Sequence, residues 1–198
     1  MPATLDSDLE KLERESTKIP SGPFFLGVDL GKRHDFSVIA VVTKQPNRDQ
    51  VRLVYFKRWP LETPYSSVIG SVRVIVDKLH NVQKCLVDQT GVGEYIVEDM
   101  QKGGIPKVEG VMLSLPSKQE ILGHLKQLMQ NELFTFPFDI DLTGELNVEH
   151  FELTKTGQVQ FSHPDGTHDD ILWAVALAVF ATRAPPVPGF KPITRSFG

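Results

Sequence analysis

A single cysteine, Cys85, in 198 residues leaves no internal disulfide and no cysteine-built zinc site. It sits in the apolar run KCLVD, where a free thiol is normally an inert buried side chain rather than a nucleophile. No apolar run reaches the ~18 residues that suggest a membrane span. The longest, Ile171 to Thr182, carries a Trp and four Ala and predicts a buried helix. The charged start MPATLDSDLEKLERES lacks a signal-peptide core, so a cytoplasmic setting with no membrane partner is the expectation. An excess of positive charge is missing too: 21 Lys and Arg stand against 25 Asp and Glu, a net charge of −4. That counts against a simple basic-surface binder of nucleic acid, unless several of the acids are engaged with metal ions. There is no internal repeat, and the length suits one domain of ordinary size.

What the chain does have is an alternation of strand and helix patterns. Residues 1–23 read as an appendage, a short helix on Leu5, Leu9 and Leu12 or a linker, broken by Pro20, Gly22 and Pro23. Residues 24–184 read as the domain, and the proline-rich residues 185–198 as a tail without a core of its own. Within the domain Phe24–Leu30, Phe36–Thr43 and Val51–Trp59 predict three strands joined by short connections, an antiparallel meander. Thr63–Leu79 places Val68, Ile69, Val72, Ile75, Val76 and Leu79 at helical spacing. Lys84–Asp88 predicts a short buried strand, Gly93–Lys102 a helix ended by Gly103 and Gly104, and Lys107–Leu113 another strand. Ser117–Gln130 predicts a helix with Pro116 and Ser117 as start signals. A looser stretch follows, then a hairpin about Thr156–Gly157 and a closing helix from His168 to Ala184. The order fits an α/β fold with a mixed five-stranded sheet, meander first and parallel strands after, and helices on both faces.

Aspartates fall where these strands should end. Asp29 lies in LGVDLG, and a buried strand carboxylate is costly unless paired or metal-bound. Gly27 and Gly31 leave room for close approach, while a turn aspartate preparing the next loop is an equal alternative. Asp88 ends CLVD and precedes QTGVG. Ligands gather beyond the carboxyl ends of parallel strands, but N-capping of the next helix competes for this residue. Asp169 and Asp170 open a strongly apolar helix, where the macrodipole favours negative charge and accounts for one of them as a cap. Asp170 shares a face with Trp173, Ala174 and Leu177 and would point to the sheet's edge, with Asp169 turned about 100° away. Asp170 is therefore favoured as a direct ligand and Asp169 as an accessory. Asp35 either joins this set or pairs with Lys32 or Arg33. Such aspartates, drawn from separated elements, suit Mg2+ or Mn2+, which take oxygen ligands. Two such ions about 3.5–4 Å apart assist phosphodiester hydrolysis. Bound metal would also reverse the local charge and so answer the acidic balance.

The run FLGVDLGKRHDFSVIAVV, then LVDQTGVGE, then ELTKTGQVQFSHPDGTHDDILWAVALA resembles the C-terminal nuclease domain of tailed-phage terminase large subunits, over roughly Phe24 to Thr182. The hairpin leading into SHPDGTHDD before an apolar helix is the most specific piece. The resemblance implies a ribonuclease H-like fold, two-metal catalysis with Mg2+ or Mn2+, and endonucleolytic cutting of concatemeric DNA during packaging, in the cytoplasm of an infected bacterium. It implies Asp29, Asp88 and Asp170 as catalytic metal ligands, with Asp35 and Asp169 accessory. It implies double-stranded DNA, the ATPase domain of the same terminase and, through it, the portal and small terminase subunit as partners. No Walker-type glycine-lysine loop occurs, so translocation is not assigned to this chain. Lys32, Arg33, Lys118 and the hairpin-tip Lys155 are candidates for DNA-backbone contact, with solvated lysines as the competing explanation. His163 and His168 flank the hairpin's end, where they orient a ligand or phosphate or simply cap the loop. Three rivals stand beside this reading. An actin-like or sugar-kinase-like nucleotide-binding domain would explain GVDLG but not HDD. A junction resolvase would keep the fold and metals, and a non-catalytic clamp would bind DNA without cutting it.

Overall fold

Alternating β-branched and aromatic residues build the centre of the molecule. The computed structural model describes residues 22–31, 35–45, 49–148, 150–153, 159–162 and 168–183. In chain order these give β1 (Phe24–Asp29), β2 (Val38–Lys44), β3 (Val51–Arg58), α1 (Tyr65–Leu79), β4 (Val82–Asp88), α2 (Glu94–Lys102) and β5 (Val108–Val111). There follow α3 (Leu115–Gln130), β6 (Phe134–Thr135), α4 (Ile140–Val148), β7 (His150–Leu153), β8 (Val159–Ser162) and α5 (Asp170–Ala181). The turn of the hairpin, the expected tail, and the expected appendage apart from residues 22 and 23 lie outside the described residues.

The main sheet has the order β5-β4-β1-β2-β3-β6. β1, β2 and β3 form the expected antiparallel meander. β4 then joins β1 in parallel, and β5 joins β4 in parallel. The sheet has six strands where five were expected. The sixth, β6, is two residues long and pairs in parallel with Val51 and Arg52, too short to carry an alternation signal. β7 and β8 make a separate antiparallel hairpin ahead of α5.

The period-two alternation sorts the strand residues between two cores. Leu26, Val28, Ile39, Val41, Cys85 and Val87 pack on one face with α1 and α2. Val38, Ala40, Val42, Leu53 and Leu86 pack on the other with α3, α4 and α5. Cys85 is the inert thiol its surroundings suggested, with burial pushing its pKa up to about 12.

Helix α5 is apolar on all sides because it is enclosed on all sides, with eleven of its twelve residues buried. Gly27 lets it lie directly on β1. A Cβ at that position would stand 2.1 Å from the Ala174 carbonyl oxygen and 2.4 Å from the Ala178 nitrogen. Gly27→Ala is therefore expected to cost about 1–3 kcal/mol through overpacking, read as a lower denaturant midpoint; an unchanged midpoint would mean the helix is not seated on this glycine.

The helix starts differ from the expected ones by one or two residues: α1 begins at Tyr65 rather than Thr63, and α2 at Glu94 rather than Gly93. α3 begins at Leu115 rather than Ser117, because the Ser114 side chain accepts from the Ser117 backbone N–H at 3.4 Å, with Pro116 inside the first turn. α5 begins at Asp170 rather than His168.

Candidate metal centre

β1 and β4 run parallel as neighbours, with Gly27 opposite Leu86 and Val28 opposite Val87. One residue further on, Asp29 and Asp88 end their strands side by side. Alternation puts Asp29 on the face of Phe25 and Gly27, and Asp88 on the face of Leu86, so both lie on the side covered by α5. On α5, Asp170 lies one and two turns before Ala174 and Ala178, the two residues that meet Gly27. Three carboxylates from three elements therefore converge beyond the carboxyl ends of β1 and β4.

Their charges act on one another. Burial raises the Asp29 carboxyl well above its ordinary range, and Asp88, Asp170, Asp169 and Asp35 raise it further. Asp170 is only 4% exposed. Burial lifts its pKa to about 6, against a hydrogen bond from the Phe36 backbone N–H; Asp35 and Asp169 add to the rise. Its Oδ2 is buried without a hydrogen-bond partner, and the His168 Nδ1 lies 3.7 Å away. Burial also raises Asp88, opposed by hydrogen bonds from Thr90 and by the charge of Lys118.

Asp88 does not cap α2, whose N-cap is Gly93 and carries no side-chain cap bond. Instead its Oδ1 accepts the Thr90 N–H at 2.7 Å, and the Thr90 hydroxyl accepts the Leu113 N–H at 2.7 Å beyond β5. Gly91 and Gly93 turn the loop at φ of 90° and 80°, a region that favours glycine. Asp169 occupies the N-cap position of α5 but makes no side-chain cap bond. Its Oδ2 accepts the Trp173 indole N–H at 2.8 Å.

Around the three carboxylates, Asp35 is exposed. The Lys118 Nζ lies 4.9 Å above the Trp173 ring, on the Asp88 side. His168 packs edge-on against Phe36 with ring centroids 4.9 Å apart. Lys32, Arg33, Lys155 and His163 lie outside the described residues.

Among the described residues, no group of three or more His, Cys, Asp or Glu is already drawn tight enough to hold a metal ion. Uncompensated carboxylates repel one another, and a bound cation would offset that repulsion. The set nevertheless fits a hard divalent cation. Its donors are all carboxylate oxygens, and one buried oxygen, Asp170 Oδ2, has no partner.

The sequence reading missed two residues beside this cluster. Glu145 on α4 is 6% exposed, and its Oε2 accepts the Leu172 N–H of α5 at 2.8 Å. Arg58, at the end of β3, lies 3.0 Å from Asp141 and 4.0 Å from Glu145, with its guanidinium 4.8 Å above the Phe36 ring. A local signal for α4 did exist: Asp139 Oδ1 accepts from the N–H groups of Asp141 and Leu142, both at 3.0 Å, a helix-start pattern in FDIDL.

No protein-family model matches the chain. It is 26% identical over 173 residues to the terminase large subunit of Thermus virus P23-45, an alignment covering 84% of this chain and 34% of that protein. The chain thus spans about a third of the length of the curated relatives it matches. Among solved structures it resembles the large terminase nuclease of thermophilic phage G20c with bound magnesium, with a TM-score of 0.71 and 23% identity over 82% of each chain. It also resembles the large terminase nuclease domain of bacteriophage SPP1 with bound Mn, with a TM-score of 0.59 and 12% identity over 83% of this chain and 88% of that one. The fold is the ribonuclease H-like fold of these domains.

Proposed function

We propose that this chain, which by sequence and fold stands with the C-terminal nuclease domains of phage terminase large subunits, is a metal-dependent DNA endonuclease that cuts concatemeric viral DNA during genome packaging. The observation that carries the proposal is the convergence of Asp29, Asp88 and Asp170 from β1, β4 and α5, with one buried Asp170 oxygen left unsatisfied. These three would hold the metal, with Asp169 and Asp35 as accessories. The magnesium and manganese bound in the G20c and SPP1 nucleases support the same ions here. Two such ions, when bound, supply the charge that stabilises the attacking and leaving oxygens of phosphodiester hydrolysis.

The chain's own side chains do the rest. Lys118, braced on Trp173 beside Asp88, is suited to meet a DNA phosphate. Lys32, Arg33 and Lys155 are proposed as further backbone contacts, and His163 and His168 as orienting groups. Phosphate contacts carry no base information, so little sequence preference is expected. An acidic domain should bind DNA weakly and lose affinity steeply with salt. Double-stranded DNA is the substrate, and the remainder of a terminase, its ATPase with portal and small subunit, supplies the packaging context. The proposed setting is the host cytoplasm; among the described residues no helix is long and apolar enough to cross a membrane.

Supercoiled plasmid incubated with the purified chain in Mg2+, Mn2+ or EDTA tests the reading. Cutting is expected only with metal and is expected to vanish in Asp88→Ala. Cutting in EDTA, or undiminished cutting by the variant, would remove its basis.

A further inference from the structure

Glu145 is no member of the proposed ligand set, yet it is buried beside it. A helix begins with backbone N–H groups that have no partner within the helix. The N-cap residue of α5 leaves them unserved, because the Asp169 carboxylate is engaged by the Trp173 indole. Glu145 reaches across from α4 instead. Its Oε2 accepts the Leu172 N–H at 2.8 Å, and the Ile171 N–H adds a second backbone bond. A carboxylate facing a helix N-terminus is favourably placed in the field of the helix dipole.

Its other oxygen, Oε1, lies 4.0 Å from Arg58, which also binds Asp141 on the same helix α4. Arg58 in turn covers the ring of Phe36, and the Phe36 backbone N–H is hydrogen-bonded to Asp170. One arginine thus bears on both supports of the Asp170 carboxyl, the helix turn beneath it and the N–H that meets it. One Glu145 oxygen thus faces the α5 backbone and the other lies toward Arg58.

We propose that Glu145, held by Arg58, is a positioning residue that fixes the first turn of α5 and thereby sets where Asp170 presents its carboxylate to the metal. The inference rests on the metal-centre reading above. It assigns Glu145 no contact with substrate or ion.

The test is Mn2+ binding by titration calorimetry, with melting temperatures measured alongside, on the wild type, Glu145→Ala and Glu145→Gln. Glu145→Ala is expected to weaken Mn2+ binding roughly 10–100-fold, as for other groups that orient ligands. Glu145→Gln, which keeps an acceptor oxygen for Leu172, is expected to restore affinity to within a few-fold of wild type. A purely structural residue would lower the melting temperature and leave the Mn2+ affinity of the folded protein unmoved. Wild-type affinity in Glu145→Ala, or a Gln variant as weak as Ala, therefore overturns the proposal. Should Glu145→Ala not fold, Arg58→Gln decides: affinity several-fold below wild type supports the proposal and unchanged affinity overturns it. A wild type that binds no Mn2+ sinks the metal-centre reading itself, a separate result.

Discussion

Replacing Asp29 by asparagine should abolish cleavage and, in metal-free buffer, make the protein harder to melt. The amide keeps the size and shape of the carboxyl but carries no charge. In the wild type that charge is buried and faces four other aspartates, so ionising it works against the fold. With Asp29 a direct ligand, as proposed, its loss should exceed the roughly 10–100-fold effect of removing an outer partner, so cleavage should fall at least about 100-fold. The metal-free melting temperature should rise by several degrees. Adding Mn2+ should reverse the order. At about 100 times its dissociation constant a ligand adds about 2.7 kcal/mol to the stability of the protein that binds it, or roughly 5–10 °C for a chain of this size. The wild type should gain that increment and Asp29→Asn little of it. Melting curves with and without Mn2+ check the point; a variant less stable than wild type in EDTA would mean the Asp29 charge is already balanced within the protein.

The second large effect is an inverted pH dependence of stability in EDTA. Burial lifts Asp170 to about 6 and Glu145 to about 7, with the N–H bonds each accepts opposing the rise. Asp29 moves in the same direction. The sign follows from proton counting. Between the ordinary carboxylate range near pH ~4 and these raised values, the folded chain keeps protons that the unfolded chain has released. Stability contributed by the neutral groups is whole below that window and is lost as pH rises through about 6 to 7. Denaturant midpoints in EDTA should therefore fall from about pH 4.5 to pH 7.5. Asp170→Asn should flatten the curve near pH 6, and saturating Mn2+ should do the same for the wild type by stabilising the ionised carboxylates. A midpoint that climbs steadily with pH in EDTA would contradict this electrostatic picture.

Much of this arrangement is legible in the sequence, for identifiable reasons. β1 to β5 announce themselves because each is long enough to alternate, or buried enough to run apolar. Asp29 and Asp88 stand out because they close such runs, where a carboxylate has no structural business. Asp170 is distinguishable from Asp169 because a helical face, once the Trp173, Ala174 and Leu177 stripe is recognised, fixes which aspartate shares it; the structure buries the first and partly exposes the second. The illegible parts depend on contacts across the fold. β6 is a strand only because Val51 and Arg52 lie beside it. Glu145 looks like any polar residue of a short helix until α4 is laid against the start of α5. The capping explanations for Asp88 and Asp169 could be weighed only once Thr90 and Trp173 were seen to take their oxygens.

The most direct test is a crystal of the wild-type chain soaked in Mn2+ and measured for anomalous scattering. One or two peaks are expected among the carboxylates of Asp29, Asp88 and Asp170, with Mn–O distances of roughly 2.2 Å and with the Asp170 Oδ2 atom engaged. An ordered map with no peak there, or with Mn2+ only at exposed surface carboxylates, would contradict the assignment of these aspartates as the metal centre.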